Sequence, residues 1–526
     1  MALHQRQSAL EHTHDSPHGW QILLITVRDP RARTLLFLGF AAGLPLLLIF
    51  SSLSLWLREA GVDRQTVTFF SWAALGYSFK FLWAPLVDRL ALPGLTRRLG
   101  RRRSWLIAAQ IAIIIAMLLM AFTDPALGPR HLFTLALAAV LLGLSAATQD
   151  IVIDAYRIEI APPAMQALLA ATYIAGYRVG MIVAGAGALS LAAWFGSSSA
   201  VYSYSAWQAT YCIMAAVMLI GIITTLTASE PTVATQNTAE NDQFNSRHNA
   251  RLVALFLITA SLFATTFFLT SQVFNAFTAL SESSVLIAFI SEAAHFLFAL
   301  LTAIMSGWLL VRYGLVQSHY ARATWVAPIL DFFQRYGTRP ALLLLALIGL
   351  YRISDIVLGV IANVFYQDLG FSKPEIAGAV QTFGVVISLI GGFLGGLLAT
   401  RFGVMRILML GAVLSALTNL VFIGLAIAGH QLVLLYVTVS ADNLAAGLAS
   451  AAFIAFLSSL TNVSFTAVQY ALFSSAMTLL PKLLGGYSGS IVETIGYPAF
   501  FVFTTLIGLP VLLLVWLARH IVQIKT

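Results

Sequence analysis

A group of ionisable side chains interrupts stretches of this chain that are otherwise apolar enough to cross a membrane. The richest reads ATQDIVIDAYRIEIAPP (147–163). A charge at the centre of a bilayer costs about 2.5–3.5 kcal/mol on insertion scales, so each such residue must find a partner or line a wet cavity. Asp150 and Asp154 are four residues apart, which stacks them on one helix face. Two dry carboxylates one turn apart resist ionising together, and such a pair can take up and release a proton. Arg157 continues that face. Glu159 lies nearer the helix end, where it serves either proton coupling or an ion pair with structural purpose. Lys80, in FKFLWAP (79–85), and Arg178, in GYRVG (176–180), can hold these acids or an anionic ligand; the spacing leaves both open. In the second half of the chain the charges are Arg352, Asp355 and Asp442. Gln149, Tyr177, Asn443 and Gln469 complete the candidate binding set. The stretch 450–463, which corresponds to Gln149–Glu159, carries no charge, so the proton-handling acids Asp150, Asp154 and Glu159 belong to the N-terminal half.

The elements that must position these residues are membrane helices. The chain has 526 residues, of which 59% are hydrophobic and only 10% charged, against roughly 25% charged in soluble proteins. About 20 apolar residues cross a bilayer core. That ruler gives spans near 34–57, 66–90, 104–123, 131–158, 165–195 and 206–228, then a pair near 252–276 and 284–312. Six more follow near 341–366, 375–400, 404–428, 432–460, 464–489 and 497–521. The arrangement is therefore six, two and six: a tail (1–33), a six-helix bundle (34–228), polar linkers carrying an inserted hairpin (229–340, hairpin 252–312) and a second bundle (341–526). LWLREAGVDRQTV (55–67) and VFYQDLGFSKPEI (364–376) open the two bundles in the same way, each leading to a Gly/Arg-rich loop. Two six-helix halves related by an axis along the membrane normal resemble the major facilitator plan, so the fold class expected is an all-α membrane protein with about 14 transmembrane helices.

The net charge of +8 does not point to nucleic acid, because the basic residues sit in short loops. Arg28, Arg31 and Arg33, then Arg89, Arg97, Arg98, Arg101, Arg102 and Arg103, then Arg312, Arg322, Arg335 and Arg339, then Arg401, Arg406, Arg519 and Lys525 all fall on one side of the membrane, whereas 196–205 and 429–431 carry no charge. By the positive-inside rule both termini are cytoplasmic. In the loop after the second span (87–104), Asp88 can clamp a neighbouring helix, and Asp88, Arg89 and Arg101 form an expected conformational latch. Gly176, Gly180, Gly185 and Gly187, like Gly391, Gly392, Gly395 and Gly396, have the spacing of close helix packing. No G-x-x-x-x-G-K-[ST] loop supplies an ATP motor, no His/Cys cluster suggests a metal, and the outer loops are too short for a catalytic domain. A non-enzymatic carrier without cofactor is expected. His4, His12, His14 and His18 read as a solvated tail, no cleavable signal peptide is apparent, and the single Cys212 cannot form an internal disulfide.

Several segments resemble the AmpG-type muropeptide transporters of Gram-negative bacteria: LGFAAGLPL (38–46), FKFLWAPLVDR (79–89), GRRRSWLIAAQ (100–110), SAATQDIVIDAYR (145–157), GYRVGMIVAGAGAL (176–189), VAPILDFFQR (326–335) and the long run 442–475. The resemblance implies a monomeric inner-membrane permease. It would import N-acetylglucosamine–anhydro-N-acetylmuramyl peptides with protons, for wall recycling and β-lactamase induction. Acetyl-CoA transporters are similar in part, sharing the pattern of Lys80–Pro85 and the Gln149–Asp154 spacing, and an organic-anion carrier of that kind is the alternative. The chain departs from some AmpG-type members in placing its extra helix pair between the halves rather than at the C-terminus.

Overall fold

The computed structural model describes residues 29–49, 51–62, 70, 77, 79–198, 201–231, 246–279, 285–485 and 487–523. The tail histidines, Arg28, Lys525, most of the first linker and much of the second span lie outside them. Without water, every backbone N–H and C=O in a bilayer must find its partner within the protein, in a helix or a closed barrel, and Leu/Ala/Ile-rich runs of about 20 or more residues fold as helices. The first half contains α1 (Pro30–Glu59), α2 (Ala84–Arg89, the end of the second span), α3 (Arg101–Ala121), α4 (Pro129–Ile160), α5 (Gln166–Trp194) and α6 (Tyr204–Thr227). A hairpin follows, α7 (Ser246–Ala279) and α8 (Val285–Arg312), then an amphipathic linker helix α9 (Ala327–Tyr336). The second half contains α10 (Thr338–Asp368), α11 (Gly378–Phe402), α12 (Val404–Ala428), α13 (Leu432–Leu460), α14 (Thr466–Gly485) and α15 (Ser488–Gln523). Among the described residues twelve helices are long and apolar enough to span a membrane, in rough agreement with the expected fourteen; α14, with Gln469, Ser474, Ser475 and Thr478, is more polar, and much of the second span lies outside the described residues.

Local chemistry sets the ends. Asp29 Oδ1 accepts from Arg31 N at 2.8 Å and starts α1, and the Arg31 side chain holds that carboxyl below its usual range. Gly403, at φ 89°, joins α11 to α12 as a one-residue corner. The repeat is visible where α4 and α13 end: each passes through a short 3-10 turn, Pro163–Met165 and Val463–Phe465, into the next helix. Counting back from those turns, Ser450 stands where Asp150 stands in the first half, and Ile454 where Asp154 stands. Two features were not legible in the spans. The α10 helix breaks at Tyr351–Arg352, between Thr338–Leu350 and Ile353–Asp368. A π-helical turn over Val183–Gly187 interrupts α5, a distortion common at functional sites.

Most of the spaced glycines are packing residues. Gly176 and Gly180 of α5 face the carbonyl oxygens of Leu36 and Phe40 on α1, and Gly391 and Gly395 of α11 face those of Leu444 and Leu448 on α13. A side chain at any of these would meet backbone, which cannot yield. Gly180→Leu is therefore expected to lose the monodisperse peak in size-exclusion chromatography, whereas Gly359→Ala, with open space around it, keeps it; a normal peak for Gly180→Leu would refute the packing role.

The hairpin stands apart. Its base meets the body through a small apolar cluster of Leu252, Leu255 and Val316 with Leu86 and Leu90, and Phe296 stacks on Phe79 at 5.6 Å. Phe268, Leu269, Leu301 and Trp308 point outward, as lipid-facing residues do.

Candidate functional site

One charge cluster forms where α4 meets the last turns of the second span. Asp150 lies ten residues before the end of α4, about 15 Å at 1.5 Å per residue, near the middle of a bilayer core. Asp154 is shared by two cations: Lys80 Nζ at 3.6 Å and Arg157 Nη2 at 3.8 Å. Lys80 sits in a 3-10 turn that precedes α2, which aims its stem at the α4 face. Trp83 Nε1 donates to Thr148 Oγ1 at 3.1 Å and fixes the second span against α4. Asp150 feels the Lys80 charge and has Tyr173 beside it, yet its Oδ1 is buried without a hydrogen-bond partner. Gln149 is fully buried, and both ends of its amide lack partners. Tyr173 and Tyr177 pack at 6.1 Å on α5, Tyr173 within the field of Asp150 and Asp154 and Tyr177 within that of Asp150. Lys80, Asp150, Asp154 and Tyr177 of the expected set are thus brought together, with Gln149 next to Asp150 in the chain. Buried unsatisfied polar atoms are rare in native proteins, and their concentration here marks a place where a ligand, water or proton belongs.

A second cluster lies in the other half. Arg352, at the break in α10, pairs with Asp355 at 3.6 Å and donates to Ser450 Oγ at 3.0 Å. Asp442 is close enough to feel both Asp355 and Arg352. Asn443 donates to Val439 O of its own helix at 3.0 Å. Arg178, on α5, is not grouped with Asp150 and Asp154; it lies in the field of Arg352.

The arginine-rich end is closed by a third cluster. Arg102 is fully buried and bonds Glu159 through Nη2 at 2.5 Å and Nε at 3.0 Å, and Asp88 Oδ1 through Nη2 at 2.8 Å. Asp88 Oδ2 accepts from the backbone N–H of Val468, across in the second half, at 3.0 Å. Arg101 donates to Asp88 O at 2.6 Å, and Arg89 lies over the Tyr320 ring at 5.8 Å. Arg157, also fully buried, reaches Ser458 Oγ of the second half at 2.9 Å and sits over the Tyr470 ring. Glu230 caps α3 from outside, accepting from Arg102 N and Arg103 N at 2.8 and 3.1 Å; burial outweighs those bonds and pushes its carboxyl above the usual range.

Of the two readings open for Glu159, proton coupling or a structural ion pair, the contacts are those of an ion pair: both its oxygens are bonded to Arg102. Gln469 was placed with the binding residues, but its amide is saturated: it donates to Asp331 Oδ2 and Pro328 O and accepts from Arg335 Nη2 and Asn462 N, all that a glutamine side chain can make. Three of the residues that hold it, Pro328, Asp331 and Arg335, belong to α9 in the expected linker region, and the fourth, Asn462, to the turn between α13 and α14. Asp331 and Arg335 pair at 2.9 Å, four apart on one helix turn. Trp325 Nε1 donates to Leu82 O of the first half at 3.2 Å. The linker thus straps both halves at the closed end. The i,i+4 Asp–Arg spacing within VAPILDFFQR was the signal available for it. In a Cys212→Ser background, Asp331→Asn should speed thiol labelling of an Ala167→Cys reporter, buried where α5 meets Gly396 of α11, several-fold; unchanged labelling would deny the strap a part in closure.

A bundle of two six-helix halves joined by a strap, with buried charge at mid-depth and a charged latch at one end, has the layout of a secondary transporter. Residues 35–350 match the family model of the Major Facilitator Superfamily, and the chain belongs to that superfamily, in its AmpG-type group. It is 30% identical over 500 residues to the anhydromuropeptide permease of Escherichia coli (strain K12), covering 94% of this chain and 81% of that one. It is 28% identical over 485 residues to putative transporter AmpG 4 of Rickettsia conorii, covering 92% and 95%. Among solved structures it is similar in fold to the proton:xylose symporter XylE, with a TM-score of 0.59, 13% identity and coverage of 93% and 94%. The protein is a multi-pass membrane transporter.

Proposed function

We propose that the protein imports N-acetylglucosamine–anhydro-N-acetylmuramyl peptides from periplasm to cytoplasm together with protons, as a monomer in the inner membrane, and so feeds wall recycling and β-lactamase induction. The arginine-rich end is the cytoplasmic one by the positive-inside rule, which makes the closed end the inner gate and leaves the charge cluster to be reached from outside. The observation that carries the reading is the juxtaposition of Asp154, shared by Lys80 and Arg157 at 3.6 and 3.8 Å, with Asp150, whose Oδ1 has no partner. An anionic substrate that draws Lys80 away from the acids makes protonation of an acid easier, and a protonated acid frees Lys80 for the substrate. Each ligand then changes the affinity for the other, which is the thermodynamic requirement for symport. The relatives' names supply the substrate class: one is called an anhydromuropeptide permease. The experiment is uptake of radiolabelled anhydromuropeptide into right-side-out vesicles, with acetyl-CoA as competitor. Saturable uptake indifferent to acetyl-CoA is expected; uptake of acetyl-CoA in its place would replace this reading with the organic-anion one.

A further inference from the structure

Arg178 and Arg352 come from opposite halves. Arg178 is the thirteenth residue of α5 and Arg352 the fifteenth of α10, about 18 and 21 Å from the arginine-rich end at 1.5 Å per residue, so they stand at nearly the same depth. They are within reach of each other's charge, and α5 packs directly on α13, the helix whose Ser450 receives Arg352 Nη1 at 3.0 Å. Arg352 keeps one acid, Asp355, yet its Nε is buried with no partner. Arg178 has no ion pair or hydrogen bond among the described residues, although it is only partly exposed and deep in a membrane helix. Two guanidinium groups within reach of each other's charge in a low dielectric repel, and Arg178 has no acid paired with it among the described residues.

The geometry points to Arg178 and Arg352 as the two prongs of a receptor for one carboxylate of the substrate, held between the halves. This rests on the muropeptide reading and deepens it, because the peptide stem of such a substrate ends in free carboxylates. Guanidinium forks match a carboxylate with paired N–H···O bonds. The free Nε of Arg352 and the unpaired fork of Arg178 are the donors to spare. A carboxylate touching both prongs relieves their repulsion and ties one half to the other at mid-depth. The site is separate from Lys80, Asp150 and Asp154, which belong to the first half alone.

The test is calorimetric binding to the purified full-length transporter, using an anhydromuropeptide with a free peptide carboxylate and the same ligand with that carboxylate amidated. Wild-type protein should bind the acid about tenfold to a hundredfold more tightly than the amide. Arg178→Gln and Arg352→Gln should each lose that preference, with a wild-type size-exclusion profile showing that they are folded. Arg178→Lys should recover part of it. Acid binding unchanged in both glutamine variants would overturn the proposal while leaving the muropeptide reading intact. Failure of wild-type protein to bind either ligand would overturn the reading and the proposal with it. Displacement of the acid by coenzyme A in wild type, lost in Arg178→Gln, would assign the prongs to a phosphate and also overturn it.

Discussion

Asp154→Asn is expected to abolish accumulation of substrate against a gradient, lowering it to the equilibrium level. Asp154 is the carboxylate between Lys80 and Arg157. Removing its charge leaves two cations facing each other, and breaking a buried pair by deleting one partner typically costs about 3–5 kcal/mol. Lys80 would then capture an anionic substrate without any proton having to bind, so binding and protonation come apart. Asp150→Asn is expected to abolish accumulation as well, for a different reason. Asp150 has fewer bonds to lose, since Oδ1 has none, and asparagine fills the same space. The variant should fold normally and still exchange labelled for unlabelled substrate downhill. Normal accumulation by both variants would make the acids structural.

Arg102→Gln is expected to be the most damaging single change at the gate. Arg102 is 0% exposed and holds Glu159 and Asp88 together. Without it two buried carboxylates face each other with their shared cation gone, a loss of about 3–5 kcal/mol by the same reasoning. Because Asp88 also takes the Val468 N–H from the opposite half, the loss falls on the closed end. The expected signs are a fall in thermal stability of several degrees and labelling of the Ala167→Cys reporter at least tenfold faster. Asp88→Asn keeps the Arg102–Glu159 pair and should be milder, changing transport rate with little change in affinity. An Arg102→Gln protein as stable and as closed as wild type would remove the latch from the account.

The sequence made the helical plan legible because bilayer thickness fixes helix length, and the mid-membrane charges stand out against an apolar background. Lys80, Asp150 and Asp154 were found that way. The i,i+3 relation of Asp154 and Arg157 was legible too, although Arg157 turns out to reach Ser458 in the other half as well. The latch was only half legible. Arg101, Arg102 and Arg103 are consecutive, and on a helix they point about 100° apart; Arg102 faces inward to the carboxylates of Glu159 and Asp88, Arg101 reaches the Asp88 carbonyl, and Arg103 turns to the carbonyls of Thr225 and Leu226. Nothing in a run of three arginines says which will be buried. No local pattern shows the partners of Gln469 and Glu159, because Asp331 and Arg102 are 138 and 57 residues away. Arg178 could be seen to lie in a membrane helix, but its nearness to Arg352 depends on how two halves meet, which no local pattern records.

The central claim is that substrate and proton move together through the Lys80–Asp150–Asp154 site. It is tested most directly in proteoliposomes enclosing a pH-sensitive dye, with no gradient imposed and anhydromuropeptide added outside. The account predicts that the lumen acidifies as substrate enters for wild-type protein, and that Asp150→Asn admits substrate downhill with no acidification. Entry of substrate into wild-type proteoliposomes without any movement of protons would contradict it.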